Sequence, residues 1–276
     1  MPNRTRERAE AAPRGHVRLR LVVAYDGTDY VGWQLQPEGV SVQLRLEEAL
    51  GRLFNPTPRV CSSSRTDTGV HALGMVVHFD VPKAQWRMKP RKLVLAANAW
   101  LPEDVRVVGA ACVAPDFHAR FDAVRKQYQY TVWNHAAQNP LLRGQAWHVP
   151  KPLDIDAMRR AAASVVGRRD FRAFSATPGY HRENTVRNLT RCEVRRSGSR
   201  LTFVIEADGF LYKMCRGIVG TLVQVGEGRF GPGDVVRMLG GCDRRLAGMT
   251  APPHGLVLHK VWYRGAGHHA SDGVED

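Results

Sequence analysis

The segment from Ser64 to Ala72 contains one acidic residue, Asp67, which is flanked by cationic and hydroxyl side chains and a glycine. This segment lies between an apolar stretch ending near Val60 and an alternating run that begins at Met75. The pattern predicts a connection that leads into a strand, and loops at strand ends commonly display catalytic groups. Asp67 is therefore a candidate nucleophile.

The spacing of this loop supports more than one interpretation. Arg65 precedes Asp67 by two positions, and if their side chains converge, the guanidinium keeps the carboxylate anionic and fixes its direction. Alternatively, the aspartate is a structural turn residue, because Asp and Gly are standard in turns. Asp67-Thr68-Gly69 is also the tripeptide of retroviral-type aspartic proteases, although a neighbouring cation opposes the shared-proton state of their dyad.

Two further regions could contact a ligand. Period-2 alternation places Tyr128 and Tyr130 on one face of a strand, where aromatic rings form either core or a stacking surface for bases. We expect core for Tyr130 and leave both roles open for Tyr128. A helix predicted from about 210 to 226 carries Arg216 beside glycines. That face either approaches something negative or is a solvated basic face with glycines for helix packing.

The elements that must position these residues alternate along the chain. Their hairpin-like neighbours favour an α+β fold with antiparallel sheet over a doubly wound fold. No Gly-rich dinucleotide or phosphate loop occurs in the sequence. The predicted strands are 17–25, 75–81, 105–113, 123–133, 186–195, 201–207 and 256–263, and the predicted helices begin at Ser41, residue 89, Asp154 and about residue 210.

The composition indicates the class of partner. The 276 residues include 40 Lys+Arg against 26 Asp+Glu, a formal net charge of +14, and the excess is not confined to the N-terminus. A basic folded body indicates a polyanionic partner, most often nucleic acid, although solubility alone is the plainer explanation.

The cysteines and the hydropathy indicate the compartment. The five cysteines include no C-x-x-C pair and are odd in number, so neither a disulfide framework nor a zinc site is indicated, and a reducing cytoplasm fits. No signal-peptide pattern and no run of ~18 apolar residues is found, so we expect no membrane association.

A series of motifs along the chain carries a resemblance to one family. In chain order they are Tyr25-Asp26-Gly27-Thr28 with Gly32-Trp33-Gln34 and the later Val42-Gln43, Arg65 to Ala72, Phe117 to Phe121, Tyr128-Gln129-Tyr130, Asp170-Phe171, Thr185-Val186-Arg187, Phe210 to Gly220 and Ala251 to Leu256. Over residues 18 to 263, the sequence resembles the tRNA pseudouridine synthases of the TruA type, in which these motifs occur in the same order. One departure concerns Ser62-Ser63-Ser64, where the family usually has glycine before Arg-Thr-Asp, because serine does not adopt positive φ as cheaply as glycine.

The resemblance implies a role for five residues. Asp67 corresponds to the essential catalytic aspartate, and Arg65 to its ion-pair partner, which also helps to extrude the target nucleotide. Tyr128 corresponds to the tyrosine that lies against the target uracil. Arg216 resembles the basic residue near the same pocket, and Leu256 an apolar pocket wall. No metal and no cofactor is implied, because the isomerisation is redox-neutral and needs no group carrier.

The resemblance also implies the substrate and the chemistry. The expected substrate is uridine at positions 38 to 40 in the tRNA anticodon stem-loop, and the expected assembly is a cytoplasmic homodimer. A carboxylate can attack C1′ to give a covalent intermediate or remove a ribose proton to give a glycal. Tyr128 would act as the base that takes the C5 proton, or assist it. The alternative is a non-catalytic RNA-binding protein or RNA chaperone on the same fold.

The implied fold is the pseudouridine synthase fold, which has two similar α+β halves with a joined antiparallel sheet and flanking helices. Along the chain we expect a disordered basic arm at 1–16, an N-terminal half at 17–140 that carries the Asp67 loop, a C-terminal half at 141–263 and a flexible tail at 264–276.

Overall fold

The computed structural model describes residues 11–176 and 184–264, which group into two compact units. Unit 1 comprises the described residues up to Thr68, then Ala72–Val124, and the chain from Lys260. Unit 2 comprises Gly69–His71 and Arg125–His259. Most of the arm and tail predicted at the two ends, residues 1–10 and 265–276, lies outside the described residues.

Unit 1 combines an antiparallel sheet with two helices. Its elements are β1 (His16–Tyr25), α1 (Val42–Gly51), β2 (Cys61–Ser62), β3 (His71–Pro82), α2 (Pro90–Asn98) and β4 (Val105–Cys112). Strand β1 pairs with β3 on one side and with β4 on the other, and β2 pairs with β3. The short strand β2 therefore runs beside β3 immediately before the Asp67 loop.

The sequence explains why unit 1 folds in this way. Leu19, Leu21 and Val23 alternate along β1 and are buried, as the period-2 pattern predicts. The Ser41 Oγ accepts a hydrogen bond from the backbone N–H of Leu44 at 3.2 Å, which caps α1. The predicted strand and the predicted cap are both confirmed.

Unit 2 contains the remaining elements. They are β5 (Ala123–Asn134), β6 (Trp147–Val149), α3 (Ile155–Ser164), β7 (Gly167–Asp170), β8 (Val186–Ser197), β9 (Arg200–Ala207), α4 (Met214–Gly226), α5 (Pro232–Gly241) and β10 (Leu256–Tyr263), of which the first two residues of β5 and the last four of β10 belong to unit 1. The strand order β5–β9–β8–β7 is antiparallel throughout. Strand β6 joins β5 in a parallel pair.

Several elements of unit 2 differ from the expectations. Strand β6 lies in a region that reads as a connector in the sequence, and β7 and α5 carry no clear sequence signal. Strands of three or four residues are too short for an alternating pattern to stand out. Helix α4 begins at Met214 rather than near 210, because Lys213 adopts a left-handed conformation with φ 58° that no α-helix continues.

The α+β class is confirmed. Most of β5 pairs with β9, and Arg125–His259 belong to unit 2 together with that strand pair. The boundary between two halves at residue 140 stays a prediction. Of the helices in the described residues, none is long and apolar enough to cross a membrane.

Candidate active site

The backbone of the Asp67 loop lies directly against the turn at Gly32. The Trp33 N–H donates a hydrogen bond to the carbonyl oxygen of Thr66 at 3.2 Å. Gly32 has φ +100°, and a Cβ there would lie 2.6 Å from the Thr66 oxygen and 3.1 Å from the Asp67 carbonyl carbon. Only glycine combines this φ with this close approach, so the position of the Asp67 peptide depends on Gly32.

A buried hydroxyl pair holds the residue before Asp67. The Tyr25 and Thr66 hydroxyls lie 2.7 Å apart, and both residues are buried. Burial raises the pKa of Tyr25 well above its ordinary value, so its hydroxyl keeps its proton. The Tyr25 ring also packs against Trp33, with ring centroids 5.9 Å apart. Thr66 is therefore held at its side chain by β1 and at its carbonyl by the Gly32 turn.

A second buried network ties the Gly32 turn to helix α1. The Gln43 N–H donates to the Trp33 carbonyl at 3.0 Å, and the Gln43 side-chain amide donates to Glu47 at 2.9 Å. The same Glu47 oxygen accepts from the Val60 N–H at 3.0 Å. Because Glu47 is buried, this network fixes both the turn that contacts the loop and the chain that leads into it.

The serines that stand where the family usually has glycine adopt no left-handed conformation. Within residues 11–176 and 184–264, only Lys213 and Cys242 are non-glycine residues with positive φ. Ser63 forms two hydrogen bonds with Val76: its N–H donates to the Val76 carbonyl at 2.8 Å, and its hydroxyl accepts from the Val76 N–H at 3.3 Å. The Ser62 hydroxyl donates to the Ser64 carbonyl at 2.8 Å. The segment therefore enters the loop without backbone strain.

Asp67 is half-buried, whereas Arg65 and Thr68 are exposed. The ion pair between Arg65 and Asp67 that the resemblance implies stays a prediction. An exposed guanidinium at position 65 can also pair with a phosphate.

The second part of the motif belongs to unit 2. Gly69 has φ +74°, and a Cβ there would lie 3.2 Å from the Pro253 ring. The His71 Nε2 donates to the His254 carbonyl at 3.0 Å, which assigns the ring proton to that nitrogen. The motif therefore belongs to unit 1 up to Thr68, to unit 2 from Gly69 to His71, and to unit 1 again at Ala72.

Tyr128 and Tyr130 share one face of β5, as the alternation predicts. Tyr130 is fully buried and its hydroxyl donates to the Pro252 carbonyl at 2.8 Å, which confirms the expectation of a core residue. Tyr128 is also buried and meets Phe210 edge to face, with ring centroids 5.0 Å apart. Edge-to-face contact with Phe210 fixes the orientation of the Tyr128 ring.

Arg216 lies in the first turn of α4, where Ala251 holds it with two hydrogen bonds. Its Nε donates to the Ala251 carbonyl at 2.8 Å, and its own carbonyl accepts from the Ala251 N–H at 3.0 Å. A Cβ on Gly217 would lie 2.2 Å from the Phe174 oxygen, and one on Gly220 would lie 2.0 Å from the Met249 oxygen. These glycines serve packing, so their interpretation as a close approach to an anion is wrong.

Leu256 is buried at the start of β10. The preceding Gly255 lies against Tyr130, because a Cβ at that position would be 2.6 Å from the Tyr130 ring. Tyr128, Arg216 and Leu256 are therefore positioned by packing within unit 2, while Asp67 and Arg65 are positioned within unit 1.

Cys61, His78 and His118 bring three potential metal-binding atoms within 4.8 Å of one another in unit 1. However, the His78 Nδ1 accepts from the Ala119 N–H, and the His118 Nδ1 accepts from the N–H groups of residues 120–121. Burial and His118 lower the pKa of His78 to about 4, so this ring is neutral. In a neutral ring whose Nδ1 accepts, the proton is on Nε2. Both rings then offer N–H groups, rather than the lone pairs that a metal needs, on their Nε2 sides.

Sequence reasoning assigned no role to Tyr25, Gly32 or Thr66. Their motifs carry the resemblance, but the hydroxyl pair and the close approach join positions 34 to 41 residues apart. The feature of the sequence that points to this contact is the glycine at position 32, since a glycine outside a helix or strand can mark a close approach between backbone segments.

The sequence profile of the tRNA pseudouridine synthase family matches residues 21–122 and 161–264, more than half of the chain. The chain belongs to this family. It is 46% identical over 249 residues to the tRNA pseudouridine synthase A of Myxococcus xanthus, covering 90% of this chain and 92% of the relative. It is 43% identical over 246 residues to the Exiguobacterium sibiricum protein of the same name, with 89% and 96% covered. Family membership confirms an isomerase with the pseudouridine synthase fold and decides against the aspartic-protease alternative.

Proposed function

We propose that the chain isomerises uridine to pseudouridine at positions 38 to 40 of the tRNA anticodon stem-loop, with Asp67 as the catalytic carboxylate. The observation that carries this proposal is the clamped Asp67 loop, in which Gly32 and Trp33 fix the peptide while the carboxylate stays half-buried. A catalytic group must be held within a fraction of an ångström, and this loop meets that demand from β1 and from the Gly32 turn.

The proposed reaction is an isomerisation, in which no atom of the nucleotide is gained or lost overall. The N1–C1′ bond breaks, the detached uracil turns, C5 bonds to C1′, and the proton on C5 is lost while N1 gains one. Asp67 begins the reaction at the ribose, by attack at C1′ or by removal of a neighbouring ribose proton. Tyr128, oriented by Phe210, contacts the uracil and takes the C5 proton or assists the base that takes it.

The target nucleotide has to leave the base stack before Asp67 can reach its ribose. Flipping costs a few kcal/mol, which contacts to the surrounding phosphates offset. Arg65, exposed two positions before Asp67, stabilises the flipped state through a phosphate, and Arg216 contributes a second cation. Leu256 supplies an apolar wall for the uracil.

The charge of unit 2 supports a polyanionic partner. Strands β7, β8 and β9 carry seven arginines against three carboxylates. Arg168 and Arg169 are exposed on β7, at the end of the strand order within this unit. Such a surface suits RNA phosphates, and a homodimer in the cytoplasm would offer one tRNA two such surfaces.

The experiment that tests the proposal is release of tritium from C5-labelled uridine in unmodified tRNA. We expect Asp67→Asn and Asp67→Ala to lower the single-turnover rate by about 10³-fold or more, since a lost nucleophile or general base has effects of that order. Asp29→Asn, at an exposed aspartate of the same unit, is the matched control and should keep the wild-type rate.

Three outcomes would overturn the proposal. Equal release from wild type and Asp67→Ala would remove Asp67 from the mechanism. Full release from tRNA that carries cytidine at 38, 39 and 40 would place the reaction elsewhere in the tRNA. A wild-type protein that binds tRNA and releases no tritium would favour the non-catalytic RNA-binding alternative.

A further inference from the structure

The hydroxyl pair beneath the Asp67 loop serves no catalytic step named so far. Tyr25 is the last residue of β1, and its hydroxyl crosses to Thr66, 41 positions further along the chain. Both residues are almost fully buried, with exposed fractions of 5% and 8%. A buried hydroxyl without a partner costs about 1–3 kcal/mol, so each residue fixes the other.

The peptide between Thr66 and Asp67 is held at two points. Its carbonyl oxygen accepts from Trp33 at 3.2 Å and lies against the Cα of Gly32, which leaves it no room to move toward the turn. With the carbonyl oxygen held, rotation about the backbone bonds of Thr66 would still change the position of the Asp67 carboxylate. The Tyr25 hydroxyl opposes this rotation, because it holds the Thr66 Oγ1 at 2.7 Å.

We propose that Tyr25 is a positioning residue for the reaction, which acts through the Thr66 hydroxyl to keep the Asp67 carboxylate in its reactive orientation. This inference rests on the proposed catalytic role of Asp67. Tyr25 touches neither tRNA nor the reacting atoms, since its ring is covered by Trp33 and its hydroxyl is directed to Thr66. Its contribution is therefore to the rate of the chemical step rather than to tRNA affinity.

The test uses the full chain and measures the single-turnover rate separately from the dissociation constant for tRNA, because the two report different steps. Tyr25→Phe keeps the ring and removes only the hydroxyl. We expect it to lower the single-turnover rate by about 10-fold, since misplacement of a reacting group by about 1 Å can cost up to 10²-fold. The dissociation constant for tRNA should be unchanged.

The matched control is Tyr30→Phe in the same unit. Tyr30 is also 5% exposed and its hydroxyl also makes a 2.7 Å bond, but to Asp104 rather than to the loop. It should lose stability to a similar extent as Tyr25→Phe and keep the wild-type single-turnover rate. A fall in rate that is equal in the two variants would mean that loss of any buried hydroxyl bond explains the effect, and would overturn the proposal.

Substitutions at Thr66 keep the proposal testable even if Tyr25→Phe folds poorly. Thr66→Ser retains the hydroxyl and should retain the wild-type single-turnover rate. Thr66→Val keeps the shape of the side chain but removes the hydroxyl, and it should lower the single-turnover rate as Tyr25→Phe does. Tyr25→Phe combined with Thr66→Val should be no slower than the slower single variant, because both break one bond. Additive losses, or a fast Thr66→Val enzyme, would contradict the proposal.

The two proposals fail in different ways. If Asp67→Asn retains activity, the catalytic assignment fails and Tyr25 has nothing to position. If Asp67→Asn is inactive while Tyr25→Phe reacts at the wild-type rate, only the role of Tyr25 fails.

Discussion

The two units use glycine for different purposes, and the difference separates positioning of the site from stability of the fold. In unit 1, Gly32 lies against the backbone of the loop that carries Asp67. In unit 2, Gly217 and Gly220 lie on the buried side of α4, against the backbone of Phe174 and Met249. A side chain at position 32 would move the Asp67 carboxylate, whereas one at 217 or 220 would separate α4 from its neighbours. We therefore expect the first change to act on rate and the second on stability.

Among the substitutions that test this comparison between the units, Gly32→Ala is expected to have the largest effect. The added Cβ would lie 2.6 Å from the Thr66 oxygen at φ +100°, so the turn or the loop must shift. A shift of about 1 Å in the carboxylate lowers the single-turnover rate by about 10²-fold. The measurement is tritium release with enzyme in excess over tRNA.

Gly15→Ala is the matched control for this substitution. Gly15 also has positive φ, +82°, but no atom lies within 4 Å of the position that its Cβ would take. Alanine there costs about 1–2 kcal/mol of backbone strain and should leave the rate unchanged. If Gly15→Ala were as slow as Gly32→Ala, the close approach to the loop would not be the cause.

Much of the architecture that holds these glycines could be predicted from the sequence. Strand β1 shows period-2 alternation in the sequence. Helices α1 and α3 begin after Ser41 and Asp154, whose side-chain oxygens accept a hydrogen bond from the backbone N–H three residues further along the chain. The buried face of Tyr130 on β5 was predictable for the same reason. Local patterns are sufficient where one element decides its own conformation.

The rest depends on contacts between distant residues. Strand β6 forms because β5 offers a parallel edge to residues 147–149, and no period is visible in three residues. Lys213 adopts a left-handed conformation, so α4 begins only at Met214. The sequence did not indicate this start, because lysine seldom adopts that conformation. The Tyr25–Thr66 hydrogen bond and the close approach of Gly32 to the loop join separate motifs, so the contacts that support the Asp67 loop could not be predicted from the sequence.

The second prediction contrasts a tyrosine of each unit. Tyr25 acts through its hydroxyl, whereas Tyr128 is expected to act mainly through its ring, which Phe210 holds edge to face. Base stacking on an aromatic ring contributes about 1–3 kcal/mol. The quantity to measure is the apparent second-order rate constant, which is the single-turnover rate constant divided by the half-saturating enzyme concentration. Tyr128→Leu should lower this constant by about 10-fold, and Tyr128→Phe should lower it less.

Tyr130→Phe is the control for Tyr128, because it removes a buried hydroxyl from the same face of β5. It should lower the free energy of unfolding by about 1 kcal/mol and leave the rate unchanged. Equal losses in Tyr128→Phe and Tyr128→Leu would assign the effect to the hydroxyl, and therefore to proton transfer rather than stacking.

The smallest effect on the rate, and the clearest on stability, is expected from Gly217→Ala. A Cβ at this position would meet the Phe174 oxygen at 2.2 Å, and a backbone atom cannot rotate out of the way as a side chain can. Overpacking of this kind costs about 1–3 kcal/mol, measured as the free energy of unfolding in urea.

Gly240→Ala in α5 is the control for Gly217→Ala, because nothing lies within 4 Å of its added Cβ. Alanine there should be neutral or raise the free energy of unfolding by about 0.5–1 kcal/mol. The rate of folded Gly217→Ala should fall less than that of Gly32→Ala, since Phe174 is not part of the loop that carries Asp67. A Gly217→Ala enzyme with wild-type stability and a rate as low as that of Gly32→Ala would mean that the glycines of the two units serve the same purpose.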